Sequence, residues 1–338
     1  MDHPHRQANR PAPRSLLRIR TAGQTDVGRV REQNQDQFLI GKICRALQVL
    51  STSLQTPADA AFVGRGSADV MLVADGMGGH AGGEKASQLA VEYLARHLIR
   101  EPAPVAMPGD VPETRLIQGL VSLLRSAHAE ILRVSQSRTE HHGMGTTLTM
   151  AHLVLPRMIV LHAGDSRCYL IREGIAQQLT TDHTLARKMV EAGEMKPEDE
   201  ATSRWSNVLW NVLGGQIEGD LVAEVHTVDL QEGDAVVLCS DGLHRHVDAE
   251  LLAMTVAEGD DPESICSELI RITNQAGGED NVTVVVAVVE RIQTGTGQTT
   301  RIDDTLADED SFDSLFCENG SLTSWNEMDS TLDETQPE

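Results

Sequence analysis

The sequence has few aromatic residues and few positive charges relative to its acids. Four Phe, two Tyr and three Trp among 338 residues are too few for the stacking surfaces that bind single-stranded nucleic acids. Asp and Glu outnumber Lys and Arg by 51 to 28, which gives a formal net charge of −23. Because such a chain repels DNA, RNA and anionic lipids, we expect neither nucleic acid nor membrane as a partner.

Paired cysteines and long apolar runs are also missing. The longest apolar run, 282–289, is far too short to span a membrane, and the first residues lack the apolar core of a secretory signal. The five cysteines form no CxxC pair, which argues against a zinc ribbon or a disulfide framework and favours a reducing compartment. They are Cys44, Cys168, Cys239, Cys266 and Cys317. We therefore expect a cytoplasmic protein.

Charge is distributed unevenly along the chain. Residues 1–20 carry a net charge of +4 and residues 293–338 a net charge of −11, and both segments lack patterned hydrophobic residues. Segments of this composition cannot bury enough apolar surface to fold. We predict a disordered basic tail at 1–20, one domain at 21–292 and a disordered acidic tail at 293–338.

The pattern of apolar residues predicts strands and helices in separate runs. Helical spacing predicts helices over 84–100 and 113–137, and Asp261-Pro262 marks the start of a third over 263–275. The segment 42–68 is longer than the turn of a hairpin needs, and we predict that it forms a surface loop. Strands are predicted at 36–41, 69–74, 146–155, 158–163, 167–171, 221–228, 235–240 and 281–289. The order indicates an α+β fold in which helices cover antiparallel sheets.

Five aspartates stand at the ends of predicted strands, several of them beside glycine. Asp75, Asp165 and Asp241 follow apolar strands. Asp280 precedes the last strand and Asp36 opens the first. Carboxylates that meet at one place repel each other and need cations, and a set of oxygen ligands favours Mg²⁺ or Mn²⁺ over Zn²⁺. A single Asp-Gly pair is usually only a turn, so the repetition of the pattern is what indicates a metal site.

These aspartates belong to a series of motifs that resembles the metal-dependent PPM family, the type-2C Ser/Thr protein phosphatases, in its bacterial form. The resemblance covers about residues 21–290, and the motifs follow the order of the family. They are Arg31-Glu32-Gln33-Asn34-Gln35-Asp36, Asp75-Gly76-Met77-Gly78-Gly79, Gly145-Thr146-Thr147, Gly164-Asp165-Ser166-Arg167, Asp182-His183, Ser240-Asp241-Gly242 and Gly278-Glu279-Asp280-Asn281.

The resemblance implies an α-β-β-α sandwich with two metal ions in a cleft between two antiparallel sheets. Asp75 would bridge the two ions, and the carbonyl of Gly76 would bind one of them. Asp241 and Asp280 would hold the other ion. Asp36 would be a ligand or lie just behind the ligands.

The resemblance also implies the substrate and the reaction. Asp165 would serve a weaker third ion, and Arg31 would hold the substrate phosphate as a bidentate fork. The implied activity is that of a Ser/Thr phosphoprotein phosphatase, in which a hydroxide bridging Mg²⁺ or Mn²⁺ attacks phosphorus and Arg31, Asp36 and Asp75 are catalytic. The implied partners are phosphoproteins made by Ser/Thr kinases in signalling, and the enzyme is expected to be a monomer.

Two positions depart from the family pattern. Gln35 stands where the family usually has Glu, and it brings no negative charge to the ions. Met77 stands where eukaryotic members carry a His that is proposed to protonate the leaving group. The alternative function is therefore a phosphoprotein-binding regulatory pseudophosphatase, although Asp75, Asp241 and Asp280 are all present. For the acidic tail, a solubilising role and competition for the cleft are both open.

Overall fold

The strands of the described residues form two antiparallel sheets. The computed structural model describes residues 17–48, 61–78, 80–99, 112–215 and 220–292. In these residues, one sheet has the order β1-β12-β11-β7-β8 and the other the order β10-β6-β5-β3-β4-β9, with β2 paired to β3. The strands are β1 (Leu17–Asp26), β2 (Asp36–Gln48), β3 (Ala61–Met77), β4 (Gly145–Thr146), β5 (Leu148–Val154), β6 (Arg157–Ala163), β7 (Arg167–Arg172), β8 (Ile175–Gln178), β9 (Leu213–Gly214), β10 (Glu224–Asp229), β11 (Ala235–Cys239) and β12 (Val282–Arg291).

Helices cover the outer faces of both sheets. The α-helices of the described residues are α1 (His80–Leu98), α2 (Glu113–Ser137), α3 (Leu185–Glu191), α4 (Asp241–His244), α5 (Ala249–Glu258) and α6 (Pro262–Ala276). The helices α1 and α2 pack on the larger sheet, and α5 and α6 pack on the smaller one. This layering confirms the predicted α+β sandwich. Across the described ranges, every helix is too short or too polar to cross a lipid bilayer.

Buried apolar side chains fill the spaces between the layers. Because neighbours along a strand point to opposite faces, Leu72 of β3 belongs to the cluster under α1 and α2, with Leu94 and Leu120. The adjacent Met71 belongs instead to the cluster between the two sheets, with Val285 of β12. A third cluster joins the smaller sheet to α5 and α6. The packing of these clusters fixes where the strand ends lie.

The first strand begins earlier than the predicted domain boundary at residue 21. Leu17 already pairs with Arg291, and the pairing of β1 with β12 continues to Asp26. β1 begins early because apolar and charged side chains alternate over these residues. Ile19 packs between the two sheets, while the guanidinium groups of Arg18 and Arg20 lie 2.9 and 3.2 Å from Glu290. Residues 1–16 and 293–338, which make up most of the predicted tails, lie outside the described residues.

The predicted surface loop at 42–68 is wrong for residues 42–48 and 61–68, which belong to strands, and residues 49–60 lie outside the described residues. β2 continues to Gln48 and β3 begins at Ala61, and the two strands pair along most of this length. The pairing is interrupted by a change of register between Cys44 and Ala46. Gly64, Gly66 and an irregular mixture of polar and apolar residues conceal the alternation that marks a strand.

We expect Leu94→Ala to lower the free energy of unfolding by about 2–5 kcal/mol. Leu94 is fully buried between α1 and the larger sheet. Ile99→Ala is the matched control, because Ile99 follows the same helix and is 70% exposed, and it should change the free energy by less than about 0.5 kcal/mol. Urea titrations followed by circular dichroism measure both values. Equal losses in the two variants would contradict the packing of α1.

Candidate active site

Asp36 and Asp75 face each other across two neighbouring strands. β2 and β3 pair in a register that sets Asp36 directly opposite Asp75. Like charges in opposite positions destabilise a sheet, so this pair needs a proton or a cation between its members. The larger sheet thus brings two of the predicted site residues to one point.

The smaller sheet brings Asp241 and Asp280 to the same cleft. Asp241 begins α4, and Asp280 stands just before β12. The hydroxyl groups of Ser240 and Thr283, which flank these positions, donate to Oδ2 of Asp36 at 2.7 and 2.8 Å. The side chain of Asp36 therefore joins the two sheets and holds their strand ends together.

Asp165 reaches the cleft on the turn between β6 and β7, which connects one sheet to the other. Gly164 has a φ of +121°, and a Cβ there would lie 2.5 Å from Cβ of Thr147, so the turn requires glycine. The hydroxyl of Thr147 lies 2.7 Å from that of Ser166 and accepts from the N–H of Asp75 at 2.9 Å. These contacts tie the turn of Asp165 to the strand of Asp75.

A cleft of about 360 Å³ opens where the two sheets meet. Behind its wall lies Asp36, with 2% of its surface exposed. Gln35 and Met77, the two departures from the family pattern, line the cleft. The predicted site residues that line it are Arg31, Asp75, Gly76, Asp165, Asp241 and Asp280. The structure thus brings all the residues of the predicted site together, and their individual roles remain predictions.

The loop that carries Arg31 is held by the side chain of Asn281. The amide nitrogen of Asn281 donates to two carbonyls of the loop, at 3.0 and 2.9 Å, and its amide oxygen accepts from the N–H of Gln35 at 2.9 Å. The side chain of Arg31 is 54% exposed and donates to Oδ2 of Asp280 at 2.7 Å. The guanidinium of Arg31 therefore lies at the mouth of the cleft on a firmly anchored loop.

Gly76 makes a close backbone contact directly after Asp75. A Cβ at Gly76 would lie 2.1 Å from the carbonyl oxygen of Gly83, so no other residue fits. The N–H of Gly76 donates to the carbonyl of Gln35 at 3.2 Å, and the same carbonyl accepts from the hydroxyl of Ser87 at 2.6 Å. Gln35 thus supports the end of β3 through its backbone, a contact that does not depend on its side chain.

Burial and mutual repulsion raise the pKa values of the clustered carboxyl groups. Burial is the largest cause for Asp36, whose pKa rises to about 7 although two hydroxyl donors oppose the shift. Desolvation, followed by repulsion from the other carboxylates, raises the pKa values of Asp75 and Asp165 well above the usual range. A cluster that retains protons in this way is one that added cations stabilise in its ionised form.

The residues of the cleft fit divalent metal ions that prefer oxygen ligands. In the described part of the chain, the buried Oδ1 atom of Asp36 has no hydrogen-bond donor, whereas Oδ2 has two. A buried carboxylate oxygen without a partner is costly, and a cation would satisfy it. Carboxylates and a glycine carbonyl are the ligand types that suit Mg²⁺ and Mn²⁺.

A second group of titratable side chains lies beneath the turn between β6 and β7. His162, His183 and Glu224 offer possible ligand atoms within 4.8 Å of one another. The N–H of Gly164 donates to Nδ1 of His183, whose Nε2 lies 3.1 Å from Glu224. Burial lowers the pKa of His162 to about 4. Burial opposes ionisation of Glu224, but hydrogen bonds from His183 and His226 outweigh it and lower its pKa to about 2. The hydrogen bonds between His183 and Gly164 position the turn.

Several supporting residues have no role assigned from the sequence, although Ser240 and Asn281 belong to two of the motifs. Ser240 and Thr283 fix a carboxylate, and Asn281 fixes a loop. Arg245 forms an ion pair with Asp241. The spacing of four residues between Arg245 and Asp241, which places them on one face of a helix, was the one signal available for it.

The raised pKa of Asp36 predicts a pH-dependent destabilisation of the metal-free protein. Its pKa is about 7 in the folded state against 3.8 as the ordinary value, so the folded state binds its proton more tightly. The stabilising effect of that proton is complete below about pH 4 and is lost as the pH rises through about 7. Asp36→Asn should therefore be more stable than wild type in EDTA at about pH 7.5, with the difference vanishing near pH 4.

Urea titrations at several pH values in EDTA measure this difference. His162 and His244, whose pKa values burial lowers to about 4, act in the opposite direction but are present in both proteins and cancel. A difference that does not change with pH would mean that Asp36 is ionised throughout.

Comparisons with known proteins agree with this geometry. Residues 55–284 match the sequence profile of the family Protein phosphatase 2C. The serine/threonine phosphatase stp of Listeria monocytogenes is 30% identical over 271 residues, which cover 80% of this chain and 96% of that protein. The crystal structure of the Mycobacterium tuberculosis serine/threonine phosphatase PstP/Ppp superposes with a TM-score of 0.64 at 30% identity, covering 82% of this chain and 100% of that chain.

A further crystal structure is that of the PstP catalytic domain in complex with two manganese ions. It is 32% identical, with a TM-score of 0.62, and the superposition covers 81% of this chain and 100% of that chain. Together these likenesses confirm the predicted family, the sandwich fold and the Ser/Thr phosphatase activity. The chain belongs to the Protein phosphatase 2C family of metal-dependent Ser/Thr protein phosphatases.

Proposed function

We propose that this phosphatase hydrolyses phosphoserine and phosphothreonine in the cleft between its two sheets, at a centre of two Mg²⁺ or Mn²⁺ ions. The observation that carries the proposal is the convergence of aspartates from both sheets, two of which face each other across β2 and β3. The related PstP catalytic domain binds two manganese ions, which supports the same number here.

The ligands are assigned from the lining of the cleft. Asp75 would bridge the two ions, and the carbonyl of Gly76 would bind one of them. Asp241 and Asp280, which come from the smaller sheet, would hold the other. Asp36 would contribute Oδ1, the oxygen without a donor in the described residues. Each ligand is thereby fixed by a strand end or a tight turn rather than by a free loop.

The reaction needs no nucleophile from the chain itself. When bound, divalent cations at such a centre lower the pKa of water toward neutrality and offset the charge of phosphate oxygens. Asp165 lines the same cleft. Together with Asp241, it would hold a third ion, which would bind more weakly than the other two. The thioether of Met77 has no proton to give to the leaving group.

Arg31 would bind the phosphate of the substrate. Its side chain is exposed at the mouth of the cleft, and the planar guanidinium offers a fork of N–H donors that matches two phosphate oxygens. Its partner Asp280 is one of the proposed ligands, so a cation on Asp280 would release Arg31 toward the substrate. Asn281 keeps the loop in place during this change.

The proposal extends to the setting of the enzyme. Its substrates would be phosphoproteins made by Ser/Thr kinases, and the enzyme would act in cytoplasmic signalling as a monomer. The catalytic domain would extend from residue 17, where β1 begins, to residue 292, just beyond β12. The acidic segment at 293–338 would serve to keep the protein soluble.

Hydrolysis of a phosphothreonine peptide should require Mn²⁺ or Mg²⁺ and should stop in EDTA. Asp75→Asn should lower kcat at least about 100-fold, because one carboxylate serves both ions. Asp260→Asn, at an exposed position outside the cleft, is the matched control and should keep the wild-type rate. Initial rates at saturating Mn²⁺ test both variants. Full activity in EDTA, or a wild-type rate in Asp75→Asn, would rule out this ligand set.

Arg31→Ala should raise KM for the same peptide at least about tenfold, because a charge-assisted hydrogen bond worth about 1.5–3 kcal/mol is lost. Arg31→Lys keeps the charge but not the fork and should give an intermediate KM. Arg29→Ala, at an exposed position of the same loop, serves as the control. Steady-state kinetics at saturating Mn²⁺ provide the values, and an unchanged KM in Arg31→Ala would assign the phosphate to another residue.

A further inference from the structure

The cleft contains a second arginine that the proposed reaction does not use. Arg245 follows α4, four residues after Asp241, and its guanidinium donates to Oδ2 of Asp241. Another nitrogen of the same guanidinium lies 3.8 Å from Oδ2 of Asp280. In the part of the chain that the structure describes, the ion-pair partners of Arg245 are thus two proposed ligands of one metal ion.

Neighbouring arginines have carboxylate partners of their own. Arg167 makes a bidentate pair with Asp182, at 2.8 and 2.6 Å, and Arg187 lies 3.3 Å from Glu200. Both line a second cavity of about 500 Å³, which adjoins the cleft and to which Arg245 also contributes. Of these three arginines, Arg245 is the one whose charge is directed at the proposed metal ligands.

An arginine in this position is a cation that belongs to the chain. The guanidinium stays charged at every physiological pH, so it relieves repulsion among the carboxylates when they hold no metal. The same charge repels a divalent ion that approaches the oxygens of Asp241 and Asp280. The side chain of Arg245 is 34% exposed and can swing out without opening the core.

The two ions would therefore meet different surroundings. Oδ2 of Asp36 accepts hydrogen bonds from the hydroxyl groups of Ser240 and Thr283, and neither Asp36 nor Asp75 takes part in an ion pair within the described residues. The ion at Asp241 and Asp280, in contrast, has to displace two guanidinium groups from its ligands, that of Arg31 from Asp280 and that of Arg245 chiefly from Asp241.

We propose that Arg245 is an internal counter-cation, which stabilises the metal-free cluster and weakens the binding of the ion at Asp241 and Asp280. This inference rests on the proposed metal centre and adds a regulatory property to it. One ion binds tightly and stays bound, whereas the second binds weakly. Activity therefore follows the concentration of free divalent cations over the range in which the second ion displaces Arg245.

The test combines Mn²⁺ titration calorimetry of the full-length metal-free protein with thermal melting in EDTA. Arg245→Gln removes the charge but keeps hydrogen-bonding groups. We expect its weaker Mn²⁺ site to tighten at least about tenfold, while its melting temperature in EDTA falls. Arg245→Lys keeps the charge and should resemble wild type in both measurements. Arg187→Gln, in the adjoining cavity, should leave Mn²⁺ affinity unchanged.

Loss of a counter-cation should raise the Mn²⁺ affinity and lower the melting temperature in EDTA. Loss of a residue with only a structural role would lower both the stability and the metal affinity. Unchanged or weaker Mn²⁺ binding by Arg245→Gln overturns the proposal. If Arg245→Gln does not fold in EDTA, Arg245→Lys decides, because wild-type affinity and melting support the role of charge, and loss of either contradicts it. A wild-type protein that binds no Mn²⁺ would instead overturn the metal centre itself.

Discussion

Repulsion between carboxylates is the constraint on which the rest of the active site depends. The register of β2 and β3 sets Asp36 against Asp75, and the smaller sheet adds Asp241 from the other side. Burying uncompensated charges of one sign costs several kcal/mol for each ion. The apolar clusters between the layers provide the opposing stabilisation, because their packing places the strand ends without regard to the charges there. The fold thus holds a charge arrangement that these residues alone would not adopt.

The supporting contacts divide the cleft into rigid and adjustable parts. Hydroxyl donors hold Asp36, and the side chain of Asn281 holds the loop of Arg31. The two guanidinium groups at the cleft are partly exposed and pair with carboxylates that metal ions would engage. Arg31 and Arg245 can therefore exchange partners as ions bind, while the ligands stay in place. Such a division lets one carboxylate frame serve metal binding and substrate binding in turn.

The aspartates that meet at the cleft could be identified from the sequence because their signals are local. An apolar strand that ends in Asp-Gly is visible in a few consecutive residues, as at Asp75 and Asp241. The helix predicted over 113–137 coincides with α2, since its apolar stripe lies within the helix itself. The sandwich class followed from the order of such elements and from the resemblance to a known family. Local patterns were sufficient to identify an element or a residue wherever its contacts with distant parts of the chain were not needed to recognise it.

The rest of the structure depends on partners that are distant in the chain. The significance of the alternation at the start of β1 depends on Glu290 of β12, which forms ion pairs with both Arg18 and Arg20. The outer halves of β2 and β3 pair with each other, although neither half has the regular alternation that marks a strand. Arg245 lies one helical turn after Asp241, but its position between two aspartates depends on Asp280, which stands just before β12. None of these pairings has a signature in either segment alone.

The pairing of the first strand with the last also determines how the domain connects to other polypeptides. Leu17 lies opposite Arg291, so the chain enters and leaves the domain at neighbouring points. Asp280 stands at the far end of β12, which at about 3.3 Å per residue is roughly 30 Å away along the strand. A domain with adjacent ends can be inserted into a loop of another protein, or circularly permuted with a short linker and new ends at an exposed turn. In an insertion, the host protein would be attached at the end of the sheet opposite to the cleft, which would leave the approach of a phosphoprotein open.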